Sequence, residues 1–280
     1  MMPASQSAGH LVEALANIAL RAARLAAAHI IKAYDRPDLI RVNLKSTNNY
    51  VTNVDREAQR IITEAISRTY PEHRFLGEED DPSIDQANEN SSAPLWIIDP
   101  IDGTTNFSRQ IPHFCVSIAC SIKGKIEHGV IINPITNEEY VASRGKGAQL
   151  NGRKIRVSQR EQLTGCVFGI AGRFPSGPVR DGHENICDAI DAAEGNLREQ
   201  GSAALDLANL AAGRIDGLWM RHVNLWDYAA GSLLVQEAGG LAGDFEGGVQ
   251  HLKKGDLVAG NPKIFRLLMP LVREHLGDLK

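Results

Sequence analysis

The chain has 280 residues, 43% of them hydrophobic, which suffices for one large domain or for two smaller ones that share a core. Its net charge of −4 gives no general attraction for nucleic acid or for a membrane surface. No run of about 18 apolar residues occurs, and the N-terminus has no compact apolar core before a small-residue cleavage site. We therefore expect no transmembrane helix, no secretion and a cytoplasmic location.

The first part of the chain reads as two helices around an extended stretch. Apolar residues recur at helical spacing from Leu11 to Leu25 and predict a helix that ends near Tyr34. Residues 40–51 predict a hairpin or a mobile loop. The segment Thr52-Asn-Val-Asp55 has capping-box spacing ahead of a second apolar-periodic run. Capping alone therefore explains Asp55 without any catalysis.

Two short extended runs end in acidic residues. The first, residues 74–76, leads into the acidic run 78–81, and the second, residues 95–98, stops at Asp99. If the two strands are neighbours, Glu78 reaches the same cation as Asp99; the alternative is a solvated acidic loop. Residues 85–93 are polar and predict an exposed loop.

The segment from Trp96 to Phe107 carries the clearest chemical signal. It places Asp99 and Asp102 within one predicted tight turn, ahead of a predicted helix opening at Gly103. Carboxylates this close repel each other unless a cation neutralises them, and oxygen ligands suit Mg²⁺ or Ca²⁺. Backbone N–H groups at residues 103–105 would suit a phosphate. The alternative is a plain strand–turn–helix junction, because Asp-Pro and Asp-Gly are ordinary turn dipeptides.

The middle of the chain is rich in β-type runs. Residues 115–122, 126–132 and 139–143 are separated by turn signals and predict an antiparallel meander, and Asn151-Gly152 marks a further tight turn. We place a boundary near residues 150–160. It divides an N-terminal α+β subdomain, residues 1–155, from a C-terminal α/β subdomain, residues 156–280.

The last part of the chain predicts helices and short strands. Helices are expected over three ranges and from Pro262 onward, and strands near Leu241 and Leu257; the helical ranges are 183–193, 203–212 and 226–238. Asp227 lies in a first helical turn, where the helix dipole alone favours an acid. Likewise, Gly201-Ser-Ala-Ala204 reads as a helix opening or a plain cap.

The four cysteines predict neither a zinc site nor disulfides. They have no Cys-x-x-Cys spacing and no nearby histidine pairing, and they are Cys115, Cys120, Cys166 and Cys187. We expect buried free thiols of a reducing compartment. No Ser-His-Asp or cysteine nucleophile is evident.

Taken together, these segments resemble the inositol monophosphatase family, and most closely its bacterial SuhB-type members. The matching segments occur in the family's order and spacing: Val51–Asp55, Gly77–Glu79, Asp99–Phe107, Gly201–Ala204, Trp226–Gly231 and Glu237–Gly240. The resemblance covers nearly the whole chain. The Asp-Pro-x-Asp-Gly-Thr motif is highly specific when it is paired with the distant Trp-Asp.

The resemblance implies an α+β fold, a layered α-β-α-β-α sandwich of the inositol monophosphatase and fructose-1,6-bisphosphatase type. It also implies a homodimeric, lithium-sensitive phosphomonoesterase that uses two or three Mg²⁺ ions. The implied metal ligands are Glu78, Asp99, the carbonyl of Ile101, Asp102 and Asp227. Asp55 and Thr104 would orient and deprotonate the attacking water. Substrate contacts would come from Gly103, Thr104, Ala203 and Asp227.

One departure from the family pattern concerns the alcohol. Many members carry a glutamate seven residues before the metal-binding Trp-Asp aspartate, where it contacts inositol hydroxyls, and this chain has Met220 there. Methionine is only a weak hydrogen-bond acceptor. The leading prediction is hydrolysis of myo-inositol 1-phosphate or a similar polyol phosphate. A 3′(2′),5′-bisphosphate nucleotidase or sugar bisphosphatase remains open, as does a regulatory partner of the transcription antitermination and ribosomal-RNA machinery, alone or beside catalysis.

Overall fold

Helices and sheets alternate in five layers in the computed structural model, which describes residues 4–46, 49–80, 92–249, 251–277 and 279. The first layer contains α1 (Ala4–Tyr34) and α2 (Asn53–Ser67), joined through a hairpin of β1 (Val42–Ser46) and β2 (Asn49–Thr52). The predicted helix end at Tyr34 and the predicted hairpin are confirmed. The predicted capping box is confirmed as well, since Thr52 and Asp55 form it at the start of α2.

The α1 helix packs its apolar face into the interior. Ala22, Ala26 and Ile30 are fully buried in a core that α1 shares with α2 and the first large sheet. By length and composition alone, Ala14–Tyr34 would suffice to cross a membrane. Its burial against the sheet explains this apolar composition as that of a core helix.

A seven-stranded sheet forms the second layer. Its order follows the chain, with β3 and β4 parallel and every later pair antiparallel. The strands are β3 (Arg74–Gly77), β4 (Leu95–Asp102), β5 (Cys115–Ile122), β6 (Lys125–Asn133), β7 (Glu138–Ser143), β8 (Gly147–Leu150) and β9 (Arg153–Lys154). Between β4 and β5 lies the short helix α3 (Thr104–Ser108). The predicted meander and the tight turn at Asn151-Gly152 are confirmed, and both turn residues have positive φ.

A five-stranded sheet forms the fourth layer, in the order β11-β10-β12-β14-β13. Its strands are β10 (Val167–Gly172), β11 (Asn196–Arg198), β12 (Gly217–Arg221), β13 (Leu241–Gly243) and β14 (Leu257–Gly260). The third layer, between the sheets, contains α5 (Ala203–Ala211) and α6 (Leu225–Glu237); the fifth contains α4 (Pro178–Ala192) and α8 (Pro262–Leu276). A short helix α7 (His251–Lys254) precedes β14. The layered sandwich is confirmed.

The helices between the sheets bury apolar side chains against both of them. One core contains Ile97 and Ile131 of the first sheet together with Leu218 and Leu257 of the second. The first sheet ends at Lys154 and the second begins at Val167. The division into subdomains 1–155 and 156–280 stays a prediction. Most of the loop predicted over residues 85–93, with Asp81 of the acidic run, lies outside the described residues.

Candidate metal and phosphate site

The Asp99–Asp102 segment continues a strand. The prediction of a tight turn was wrong, because β4 pairs with β5 through Asp102, with Asp99 opposite Ser117 and Asp102 opposite Cys115. Residues three apart on a regular strand face opposite sides of the sheet. Here Pro100 and Ile101 together stand opposite one residue of β5, and such a bulge brings both carboxylates to the same side.

Asp227 joins this pair from the other side of the site. It lies in the first turn of α6, where its Oδ2 accepts a hydrogen bond from the Asn224 N–H at 2.7 Å. One carboxylate oxygen of each of Asp99, Asp102 and Asp227 lies within 4.8 Å of the other two. Within the described part of the chain, this is the group of acidic side chains placed to hold a metal ion.

Glu78 lies beside this cluster because β3 runs parallel to β4. Gly77 pairs with Ile98, and the Glu78 N–H donates to the Ile98 carbonyl at 3.1 Å. Glu78 is half-buried, lines the same cavity as Asp99, and its charge raises the pKa of Asp99. A solvated loop therefore does not describe Glu78, although its carboxylate lies outside the three-residue group.

Asp55 is a helix cap that also contacts Thr104; it is fully buried and does not itself line the cavity described below. Its Oδ2 accepts from the Thr52 N–H at 2.8 Å, and its own N–H donates to the Thr52 hydroxyl oxygen at 3.3 Å, which completes the capping box. The same Oδ2 also accepts from the Thr52 hydroxyl. Its Oδ1 accepts from the Thr104 hydroxyl at 3.0 Å, and that hydroxyl also lies 3.1 Å from the Ile101 carbonyl. Burial raises the pKa of Asp55 to about 6. Asp55 can therefore cap α2 through Oδ2 and at the same time contact Thr104 through Oδ1.

Asp102 is held by the start of α5. Its Oδ2 accepts from the Ser202 hydroxyl at 2.6 Å and from the Ala204 N–H at 2.7 Å. The Ser202 side chain makes no capping bond to its own helix. A helix opens at this segment as predicted, but the alternative of a plain cap was wrong for Ser202, whose contact with Asp102 was not predicted.

The predicted phosphate-binding segment lines the same cavity. Gly103 has φ +100, and a Cβ there would lie 3.1 Å from the carbonyl oxygens of His113 and Gly201, so both conformation and space favour glycine. The cavity, about 300 Å³, brings together four predicted metal ligands and the predicted substrate contacts. These residues are Glu78, Asp99, Asp102, Asp227, Gly103, Thr104 and Ala203. Ile101 lines it as well.

Asn106 connects α3, on one side of this cavity, to the loop before α5 on the other. It was not among the predicted site residues. It is 8% exposed, and its Nδ2 donates to the carbonyls of His113 at 2.7 Å and Gln200 at 2.8 Å. The bond to Gln200 holds α3 against the loop that precedes α5, and the bond to His113 holds it against the segment that leads into β5. Asn106 lies within the sequence motif, but its long-range partners could not be inferred from that motif.

The electrostatics of the cluster fit a divalent cation. Burial, followed by the charges of Glu78, Asp102 and Asp227, holds the pKa of Asp99 well above its usual range. Burial likewise raises the pKa of Asp102 to about 6, with the Ser202 and Ala204 bonds opposing it, and burial and Asp102 raise that of Asp227. An all-oxygen set of crowded, buried carboxylates is the donor chemistry that Mg²⁺ prefers.

Two predictions from the sequence concern residues that do not line the cavity, the cysteines and Met220. All four cysteines are free, but the prediction that all are buried was wrong for Cys187, which is half-buried. Burial raises the pKa of Cys115 well above its usual value, so its thiol is no nucleophile at neutral pH. Met220 is fully buried in the core between the sheets and does not line the cavity. Three charged or titratable residues that line the cavity were not predicted, because they belong to no motif in the sequence: Arg173, Glu199 and His222.

Comparison with known proteins decides the family. The pattern of the inositol monophosphatase family matches residues 11–276. The chain belongs to the inositol monophosphatase family. Within this family, it is 46% identical over 267 residues to the Nus factor SuhB of Pseudomonas aeruginosa, covering 95% of this chain and 98% of the relative. It is 42% identical to the Nus factor SuhB of Escherichia coli strain K12, covering 94% and 97%.

Solved structures of the family share the fold. An extragenic suppressor protein suhB from Bartonella henselae superimposes with a TM-score of 0.87 at 40% identity, covering 94% of this chain and all of the other. An IMPase of Thermotoga maritima gives 0.82 at 32% identity, covering 94% and 98%. The SuhB-type resemblance is thereby confirmed.

Proposed function

We propose that the protein is a Mg²⁺-dependent phosphomonoesterase that hydrolyses myo-inositol 1-phosphate or a similar polyol phosphate. The observation that supports it best is the convergence of Asp99, Asp102 and Asp227, whose oxygens lie within 4.8 Å of one another beside Gly103 and Thr104. Membership of the inositol monophosphatase family agrees with this chemistry. We further propose a cytoplasmic, lithium-sensitive homodimer.

In this proposal, each acidic residue holds a metal through the oxygen that its own hydrogen bonds leave accessible. Asp102 uses Oδ2 for Ser202 and Ala204, so Oδ1 remains for the ion. The set of ligands for two or three ions is Glu78, Asp99, the Ile101 carbonyl, Asp102 and Asp227. When bound, Mg²⁺ lowers the pKa of a water and neutralises charge on the phosphate and the leaving oxygen.

Asp55 and Thr104 are proposed to orient the attacking water and to accept its proton. Because the pKa of Asp55 is about 6, its carboxylate is ionised at neutral pH and still basic enough to take a proton. The Thr104 hydroxyl donates to Asp55 Oδ1, which leaves the lone pairs of that hydroxyl for a water's hydrogen. The capping bonds on Oδ2 keep the carboxylate in one orientation.

Gly103 and Thr104 would bind the phosphate oxygens through their backbone amides. The close approach of Gly103 to the Gly201 carbonyl and the bond from Asn106 to the Gln200 carbonyl fix this segment against the loop before α5. Ala203, at the start of α5, would contact the substrate from the opposite wall. These residues therefore position the phosphate before the reaction begins.

A substrate panel tests the proposal. Phosphate release would be measured from myo-inositol 1-phosphate, glycerol phosphates, fructose 1,6-bisphosphate and adenosine 3′,5′-bisphosphate, each with Mg²⁺ and with EDTA. We expect Mg²⁺-dependent turnover of the polyol phosphates and none with EDTA. Release that persists in EDTA would contradict the metal assignment. A strong preference for the nucleotide would instead support the bisphosphate nucleotidase, and one relative of 26% identity has been solved with 2′-AMP bound.

A second proposed function is that of a partner of the transcription antitermination and ribosomal-RNA machinery. The supporting observation is that relatives at 42–46% identity, aligned over nearly their whole length, are named Nus factors. This role is compatible with catalysis, because the acidic cluster lies in a cavity and leaves most of the surface for contacts. A pure binding protein would not need five acidic side chains to converge there.

Binding and catalysis are separable by experiment. The Asp102→Asn variant, immobilised beside the wild type, would be tested for capture of purified antitermination factors of the host. We expect equal capture by both proteins, since Asp102 is buried beneath the surface. Absence of capture by either protein would contradict the regulatory role and leave the enzymatic proposal untouched.

A further inference from the structure

A buried arginine that no described acid neutralises lies at the end of β12. Arg221 is only 1% exposed, and among the residues that the structure describes it is the one arginine or lysine in the interior. Its Nη2 donates to the Leu279 carbonyl at 3.0 Å. Its Nε and Nη1 are buried as well, and they have no hydrogen-bond partner in the described part of the chain. A neutral carbonyl therefore uses one of the five N–H groups of a full positive charge.

The environment of Arg221 favours a negatively charged ligand. A charged group buried without a partner costs free energy, because it has lost its hydration and gained no counter-charge. Water accepts hydrogen bonds from a guanidinium but does not neutralise it, whereas a carboxylate does both. The N–H groups of Arg221 on Nε and Nη1 are thus suited to an anion.

Arg221 lines a second cavity, which has room for such a ligand. This second cavity measures about 350 Å³, within the range of about 300–1,000 Å³ that is usual for small-molecule sites. Glu246 and Lys254 line it and are exposed, so a ligand can enter from solvent. The remaining lining residues are His222, Phe245, Asp256, Gly277 and Leu279.

The second cavity is distinct from the cavity that contains the acidic cluster, here called the metal cavity. The two share only His222 among their lining residues. Side chains alternate along a strand, and on β12 Met220 packs in the core between the sheets, whereas Trp219 packs in the core with α4 and α8. Arg221, two residues after Trp219, therefore lies on the α8 side, where Leu279 contacts it.

The other charges of the second cavity define what the ligand must carry besides an anion. Lys254 Nζ lies 2.9 Å from Glu246 Oε2, so these two charges neutralise each other. Asp256 is half-buried, and its Oδ1 accepts a hydrogen bond from the His222 N–H at 3.1 Å. Asp256 forms no ion pair with a described residue. The cavity therefore presents one unpaired cation, Arg221, and one unpaired carboxylate, which suits a ligand with one charge of each sign.

We propose that the second cavity binds a small amino acid, with its carboxylate on Arg221 and its ammonium group on Asp256. Each charge of the ligand then meets a charge of opposite sign on the protein, and the buried guanidinium gains a counter-ion. The proposal does not rest on the proposed phosphatase function, because the metal cavity takes no part in this binding.

Thermal unfolding in EDTA tests this assignment, since the metal-free acidic cluster repels carboxylates. Glycine, β-alanine and 4-aminobutyrate carry the two charges at increasing separation, whereas acetate and methylamine carry one charge each. We expect one of the three amino acids, at about ten times its dissociation constant, to raise Tm by about 3 °C. Acetate and methylamine at the same concentration should raise it less. Differential scanning fluorimetry measures these shifts.

Variants separate binding from the general stabilisation of proteins by amino acids, which are excluded from protein surfaces. Arg221→Met replaces the buried charge by an apolar side chain of similar length, which proteins often tolerate, and should abolish the specific rise in Tm. Arg266→Met is the matched control, because Arg266 is exposed on α8 and lines neither cavity. It should respond as the wild type does.

A second variant serves where Arg221→Met does not fold. Asp256→Asn keeps an oxygen for the His222 N–H, and it should lower the affinity for the best amino acid by about tenfold in calorimetric titration. An equal rise in Tm for the wild type and Arg221→Met would overturn the proposal. So would unchanged affinity in Asp256→Asn, a stronger response to acetate than to every amino acid, or no response of the wild type.

Discussion

Asp102→Asn is expected to lower kcat by about 1,000-fold or more, because it removes a charged metal ligand worth several kcal/mol of transition-state stabilisation. Asn keeps the carbonyl oxygen that can accept from the Ala204 N–H, so the start of α5 should stay docked. Phosphate release from the best substrate of the panel, measured at saturating Mg²⁺, gives the loss. Near-ultraviolet circular dichroism would report whether the fold is retained.

The same substitution outside the cavity serves as a control for the removal of an acidic side chain that binds no metal. Asp191 is exposed on α4 and lines neither cavity, so Asp191→Asn should leave kcat unchanged. Full activity of Asp102→Asn would refute the assignment of the metal site. A loss of activity accompanied by loss of the dichroism would point to the hydrogen bonds of Asp102 instead.

The second large effect concerns stability. Adding Mg²⁺ at about 100 times its dissociation constant should stabilise the wild type by about 2.7 kcal/mol and raise Tm by about 5–10 °C. Asp99→Asn should raise Tm in EDTA, because it removes one of several buried like charges, and should abolish most of the Mg²⁺ response. Differential scanning fluorimetry in EDTA and in Mg²⁺ measures both effects.

The pH dependence of the metal-free protein follows from the same carboxyls. Their pKa values are raised in the fold, to about 6 for Asp55 and Asp102. Protonation therefore stabilises the fold fully below the unfolded pKa, near 4, and this contribution is lost as pH rises through about 6. In EDTA, the advantage of Asp99→Asn over the wild type should grow across that window. An advantage that shrinks with rising pH would contradict the crowding of these charges.

The sequence predicted the elements that carry strong local patterns. The amphipathic α1 and α2, the capping box at Thr52 and the meander after Phe114 follow from periodicity and turn residues, and each is found. The strands β10, β11 and β12 were not predicted. β10 and β12 are largely buried and contain glycine, and β11 is a three-residue edge strand, so neither alternation nor length distinguished these strands from loops.

The candidate site was likewise predicted only in part. The sequence identified the acidic residues of the site. It could not decide whether Glu78 and Asp55 have a structural or a chemical role, because that role depends on which strands and helices become neighbours. Parallel pairing of β3 with β4 decides the placement of Glu78. The bulge in β4, the Ser202 contact with Asp102 and the lining of the second cavity arise from long-range packing, for which a single sequence carries no local signal.

The position of the acidic cluster has a mechanical consequence. Asp99 and Asp102 belong to a strand of the first sheet, whereas Asp227 begins the α6 helix that packs between the two sheets. A cation held by all three would act as a removable cross-link between segments far apart in the chain. Separating the first sheet from its helical layer would then require breaking that link as well as the apolar core, so the free energy of ion binding would add to the packing that holds these layers together.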